Sequence, residues 1–264
     1  MPGDAEGGDV DLRSPVARVV REIFGSVASL AVVGPLVDAG VESAFARLHE
    51  IDARLSPYRA DSEISRIRDG RLAPSEAHPE TRWILAACDA LREESGGIFD
   101  ARVAGVDGRL DPSGYVKGWA IGEAHRILVA SGMGNCALGI GGDVAAAGDG
   151  PGGVGWVVGI ANPRDRTTAL ASVRLRDAAI ATSGESERPG HLRSAATGGA
   201  AHSPFASFTV VGPAIDRVDA LATIGWLEGL RGIERIDREE GYGALAVYRD
   251  GRAVATEPFR AIAI

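Results

Sequence analysis

The sequence predicts an α+β fold in which mixed sheets pack with helices. Three observations carry this. Helical and alternating hydrophobic patterns are interspersed without the regular strand–helix–strand order that builds a parallel sheet. Beyond Cys136 the apolar period shifts from that of a helix to that of strands. No internal repeat of fixed period organises the chain, which excludes a solenoid or propeller. Taken in order, residues 1–14 are acidic and Gly-rich and read as a disordered tail, and residues 15–264 read as one domain. Residues 18–33, rich in β-branched side chains, predict either a strand pair or a single strand with a bend at Gly25. Residues 38–55 predict a helix, because Val41, Ala44, Phe45, Leu48 and Ile51 recur on one face. A loop follows at 56–61. Residues 79–95 predict a second helix with Trp83, Ala87, Cys88 and Leu91 on one side and Gly96-Gly97 as its stop, and residues 114–131 a third, ended by Gly132.

Strands are expected at 136–140, 155–160, 169–175, 178–182 and 205–211, with a weakly periodic stretch over 184–204. Connections of that length are uncommon inside a domain and usually carry function or disorder. A fourth helix is expected at 214–230. Strands at 244–248 and 253–257 flank Asp250-Gly251, a strong hairpin signal.

Composition narrows the function classes. Hydrophobic residues make up 45% of the 264 and charged residues 24%, enough for a sizeable core and against a mainly disordered chain. With 28 Lys and Arg against 36 Asp and Glu, the formal charge is −8, which lacks the basic footprint of a nucleic-acid binder. Cys88 and Cys136 have no metal-type spacing and read as free thiols in a reducing compartment. No export-signal pattern opens the sequence, and the best apolar run, 23–37, is broken by Gly25, Gly34 and Pro35. The expectation is therefore a cytoplasmic protein with no membrane span. Glycine is over-represented, 36 of 264, about twice the ordinary share of roughly 7%. Its clusters over 132–159 and 184–199 suit either loops around a small molecule or turns in an Ala/Gly-rich chain.

Several motifs fail on context. Gly150 to Gly155 matches GxGxxG but leads into a strand, whereas a dinucleotide fingerprint opens a helix. No phosphate-binding GxxxxGK[ST], no GxSxG and no zinc-protease histidine pair occurs. Asp219-Ala220-Leu221-Ala222-Thr223 is more informative. On a helix its carboxylate and hydroxyl share a face, and two hard oxygens one turn apart suit Mg²⁺. The same spacing also suits an exposed Asp and a Thr bonded back to its own helix. Asp111 to Ala120 runs from a turn into a helix with Lys117 near its start, where a cation opposes the helix dipole. An anionic ligand would offset that conflict; a solvated surface lysine is the alternative. Gly141-Gly142-Asp143 reads as a tight turn or a backbone-amide cradle.

Order adds what the single pieces lack. Phe24-Gly25-Ser26, Ser56 to Glu63, Gly97-Ile98-Phe99-Asp100, Asp111 to Ala120, Gly141-Gly142-Asp143, Ala181 to Gly184 and Asp219 to Thr223 follow one another along the chain. In this order they resemble the FAD:protein FMN transferases, the ApbE-type flavin transferases, over about residues 18–257. The resemblance implies an ApbE-like, T-fold-related arrangement of two halves with a ligand cleft between them. It implies an enzyme that splits the FAD pyrophosphate with Mg²⁺ and links FMN to a Thr or Ser of an acceptor flavoprotein, releasing AMP. Asp219 and Thr223 would then be side-chain metal ligands and Ala120 a carbonyl ligand. Lys117, Tyr58, Ile98, Phe99 and Asp100 would contact FAD, with Phe24 where the family usually has methionine. His191 and Leu192, in the long loop, are also expected to contact FAD, and His191 is the expected catalytic group near the reacting phosphate, since an imidazole can titrate near neutrality. An exposed loop histidine is the other reading of that residue. In the same loop Ser186 replaces a family Tyr, and Ser194-Ala195 replace Asp-Pro. That change leaves open FAD hydrolysis to FMN and AMP, or flavin binding without catalysis.

Overall fold

Strands at the first edge of the main sheet alternate between buried and exposed residues, whereas those nearer its middle are buried almost throughout. In the computed structural model the described residues are 16–104, 109–184 and 203–264; the expected tail at 1–14 lies outside them. Strands β1 (Val16–Ile23) and β2 (Ser26–Val33) form a hairpin turned by Phe24 and Gly25, whose φ angles of 54° and 65° are both left-handed. Such primed two-residue turns match the twist of the strands they join. Helices α1 (Asp38–Leu55), α2 (Glu63–Arg68), α3 (Pro79–Glu94) and α4 (Ser113–Ala130) lead to a second hairpin, β3 (Cys136–Ile140) and β4 (Asp143–Ala147). A two-stranded excursion, β5 (Trp156–Asn162) and β6 (Asp165–Leu175), separates β4 from the next sheet strand along the chain but not in the sheet. The pattern then repeats: β7 (Ala178–Gly184), β8 (Phe205–Gly212), α5 (Ile215–Glu228), α6 (Leu230–Asp237), β9 (Gly243–Tyr248) and β10 (Ala253–Ala255), closed by α7 (Glu257–Ile262).

The main sheet runs β1-β2-β3-β4-β7-β8-β9-β10, with antiparallel pairing throughout. Its halves are thus two copies of hairpin–helix–hairpin joined edge to edge between β4 and β7. On one face Leu30, Leu138, Ile140, Phe208 and Val210 meet Phe45 and Leu48 of α1, Ile121 of α4 and Leu221 of α5. On the other, Ile180, Val211, Leu245 and Val247 are covered by Trp156, Ile160, Val173 and Leu175 of the β5–β6 hairpin and by Phe259 of α7. The α+β expectation holds, and the helix over 38–55 matches at both ends.

Several elements differ from the sequence expectation, among them the short helices α6 and α7, which it did not contain. Strand β4, nearly all alanine after Val144, has little intrinsic strand preference and exists because β3 and β7 pair with it on both sides. Helix α2 starts where the Ser62 hydroxyl accepts the Ser65 N–H at 3.0 Å. The helix expected over 214–230 ends at Glu228, because Gly229 turns with φ 65° and α6 begins after it. The strand expected over 253–257 stops at Ala255, since Pro258 suits the first turn of α7.

Candidate active site

A cavity of about 630 Å³ opens at one end of the sheet. The β1–β2 turn, the end of α1, the β3–β4 turn, the end of β7, the start of α4 and the middle of α5 all line it. Both halves of the fold therefore contribute.

The floor is built from two helices in close approach. Gly118 of α4 faces α5 so tightly that an added Cβ would lie 2.7 Å from the Asp219 Cβ and 2.8 Å from the Ile215 carbonyl. Only glycine permits that crossing, and through it the Gly118 N–H reaches Asp219 Oδ2 at 2.9 Å. One turn along α5, Thr223 Oγ1 lies 3.1 Å from Ser183 Oγ at the end of β7. Asp219 and Thr223 are 3% and 8% exposed, yet both line the cavity. The reading of Asp219 as a solvated surface residue is excluded.

Lys117 lies on the same floor, its Nζ 2.5 Å from Asp143 Oδ2 and 3.7 Å from Asp219 Oδ1. The unfavourable position of this cation near a helix N-terminus is thus offset within the protein by two carboxylates. Asp143 is wholly buried at the head of β4 and also accepts the Thr182 N–H at 3.2 Å. Burial pushes its carboxyl above the ordinary range, while Lys117 and the Thr182 N–H pull the other way. At the start of α4, Asp111 Oδ1 accepts from the Ser113 N–H at 2.9 Å and holds the first turn, with Ser113 and Gly114 on the cavity wall.

The remaining walls carry the residues expected to touch a flavin nucleotide. Phe24, Tyr58, Ile98, Phe99 and Asp100 all line the cavity. Tyr58 is 68% exposed, whereas Phe99 is buried beneath Gly114. Asp100 is anchored by Arg92 Nε at 2.9 Å and by the Arg102 N–H at 2.9 Å. Ala120 is fully buried in α4 and is not part of the lining, whereas Val116 and Lys117 on the same helix are. His191 and Leu192 lie outside the described residues.

Sequence reasoning gave no role to Asp143, Ser183, Asp111 or Arg166, all near or in this cavity. Two signals were present, the Gly-Gly-Asp turn and the Thr-Ser-Gly strand end. Neither says which side chain points inward until the sheet is paired.

The donor set suits a hard divalent cation. Asp219, Thr223 and Ser183 present oxygens on one cavity floor. Among the described residues no group of three or more His, Cys, Asp or Glu forms a protein cage. Mg²⁺ is commonly held this way, by one or two carboxylates with water and phosphate oxygens completing its shell.

Fold and site together define an α+β protein with a duplicated hairpin–helix–hairpin sheet and a nucleotide-sized cleft floored by an acid–alcohol pair. The ApbE family matches residues 24–108 and 104–246, nearly the whole described chain. The chain belongs to the ApbE flavin-transferase family. Solved structures agree in fold. The flavin transferase ApbE from Vibrio cholerae superposes with TM-score 0.81 at 20% identity, over 94% of this chain and 100% of that one. The ApbE protein from Thermotoga maritima gives 0.83 at 21% identity, over 94% and 99%. The apo flavinyl transferase ApbE from Pseudomonas stutzeri gives 0.80 at 23% identity, over 94% and 96%. No curated protein matches the chain in sequence.

Proposed function

We propose that this chain is an FAD:protein FMN transferase: it binds FAD in the cleft, cleaves the pyrophosphate, joins FMN to a Thr or Ser hydroxyl of an acceptor protein and releases AMP. The observation that carries the reading is the cleft floor, where Asp219, Thr223, Ser183 and Lys117 converge beside the N-terminal turn of α4. A helix start and a lysine ammonium are suited to pyrophosphate oxygens. Phe24 and Tyr58 offer aromatic surface to the planar rings, and Asp100 is held rigidly enough to accept hydrogen bonds from a sugar or base.

Asp219 and Thr223 would hold Mg²⁺, with Ser183 orienting the Thr223 hydroxyl. When bound, that ion would neutralise charge growing on the phosphate oxygens. Ala120 is fully buried and is not among the residues that line the cavity, which speaks against a carbonyl contribution from it. In the transfer step the acceptor hydroxyl oxygen bonds to the FMN phosphorus, the bond to the AMP oxygen breaks, and the hydroxyl proton passes to a base. His191 is our assignment for that base, on the chemistry of imidazole.

Among the described residues no helix is long and apolar enough to cross a membrane. The two cysteines are free and buried, which suits the reducing cytoplasm we propose as the location; fractionation of the native host checks it. The function is tested with purified protein, FAD and Mg²⁺, with and without a flavin-acceptor domain. AMP formed only with the acceptor, together with covalent FMN on it, is the expected result. AMP without acceptor means that water is the nucleophile and the chain is an FAD pyrophosphatase; intact bound FAD without AMP means a flavin-binding protein.

A further inference from the structure

Lys117 stands between two carboxylates at unequal distances. Asp143 is wholly buried, held by the Thr182 N–H on one oxygen, with its other oxygen 2.5 Å from Lys117 Nζ. Asp219 lies 3.7 Å from the same nitrogen through Oδ1, while its Oδ2 is taken by the Gly118 N–H at 2.9 Å. Oδ1 is thus the Asp219 oxygen over which a lysine ammonium and a divalent cation compete. Attraction between opposite charges grows as distance and local dielectric fall, so the shorter, fully buried pair dominates. Asp143 cannot swing to water instead, because an unpaired buried carboxylate is costly.

We propose that Asp143 is a positioning residue: it draws Lys117 back from Asp219, leaving Oδ1 to a divalent cation and Nζ facing the cavity. This rests on the placement of a cation at Asp219 made above. Asp143 itself touches neither cation nor nucleotide.

The test uses Mn²⁺ as the probe, its uptake by the full-length chain followed through the paramagnetic resonance signal of the free ion, with and without FAD. Asp143→Asn keeps an oxygen for the Thr182 N–H and removes only the charge that holds the lysine. It is expected to weaken Mn²⁺ binding by about tenfold or more. Adding Lys117→Met is expected to restore the affinity, a rescue that damage to the fold would not show. Lys117→Met alone, which takes the ammonium away from Asp219 Oδ1, is expected to bind Mn²⁺ without FAD at least as tightly as the unmodified chain. A crystal structure of Asp143→Asn is expected to show Nζ within hydrogen-bond distance of Asp219 Oδ1. Unchanged Mn²⁺ affinity in Asp143→Asn, no rescue by Lys117→Met, weaker binding without FAD in Lys117→Met alone, or a lysine still beside residue 143 overturns the inference while leaving the cation site standing. Mn²⁺ uptake that is absent, or indifferent to Asp219→Asn, removes the cation site itself and this inference with it.

Discussion

Phe24 is where backbone comfort and cavity shape conflict. A bulky residue at φ 54° occupies the left-handed region that favours glycine, and such positions cost roughly 1–3 kcal/mol. The ring is nonetheless kept, as a wall of the cleft packed at the edge of the core. Replacing Phe24 with Gly relieves the strain but deletes the wall. Urea unfolding should show a stability change within about 1 kcal/mol, while the KM for FAD rises several-fold. At Asp219 and Thr223 the balance is reversed: both line the site, and an amide at 219 keeps an oxygen for the Gly118 N–H while a valine at 223 keeps the volume of the threonine. Asp219→Asn and Thr223→Val should each lower FMN transfer by about 100-fold with near-wild-type thermal unfolding. The shared helical face of these two residues was legible from their spacing; that Gly118 and Ser183 would be their partners was not, because those contacts come from other elements.

Between elements, the α4–α5 crossing sets the floor. Gly118→Ala forces a methyl group against the Asp219 Cβ and the Ile215 carbonyl, so the helices must part. We expect a loss of about 1–3 kcal/mol in chemical denaturation, accompanied by a fall in transfer activity because the Gly118 N–H leaves Asp219. A second junction joins three helices away from the cleft. Glu80 of α3 pairs with Arg47 and Arg54 of α1, and Arg47 also reaches Glu123 of α4 at 3.2 Å. Burial lifts the Glu80 carboxyl, but the two guanidinium groups outweigh it and hold it below its ordinary 4.5. With the folded value depressed, this stabilisation is complete above about pH 4.5 and lost as pH falls through the folded value. Glu80→Gln should therefore cost roughly 1 kcal/mol at neutral pH, and thermal melts of the two proteins should converge below that point. Long amphipathic helices such as α1 could be read end to end, because their packing face is written in residues three and four apart. The short α2, α6 and α7 and the alanine strand β4 could not, since their own residues do not outweigh the alternatives and neighbouring elements hold them.

Across the whole molecule, the cleft belongs to neither half alone: Phe24, Lys117 and Gly141 come from the first hairpin–helix–hairpin and Ser183, Asp219 and Thr223 from the second. Ligand binding should then stabilise both together. FAD at about 100 times its Kd is expected to add roughly 2.7 kcal/mol to global stability. Hydrogen exchange should slow in the first turns of α4 and around Thr223 alike; protection confined to one half would contradict a ligand bridging the two.

By itself the sequence determined the α+β class, the long helices, the hairpin at Asp250-Gly251 and the acid–alcohol pair, because each is encoded by neighbours within a few residues. The order of its motifs also carried the family. Tertiary structure alone decided that the two halves share one continuous sheet, that Asp143 faces Lys117 from the head of β4, and that Ala120 lies away from the cleft. Those outcomes depend on which strands pair and how closely two helices cross, and the energies that select them arise between residues far apart in the chain.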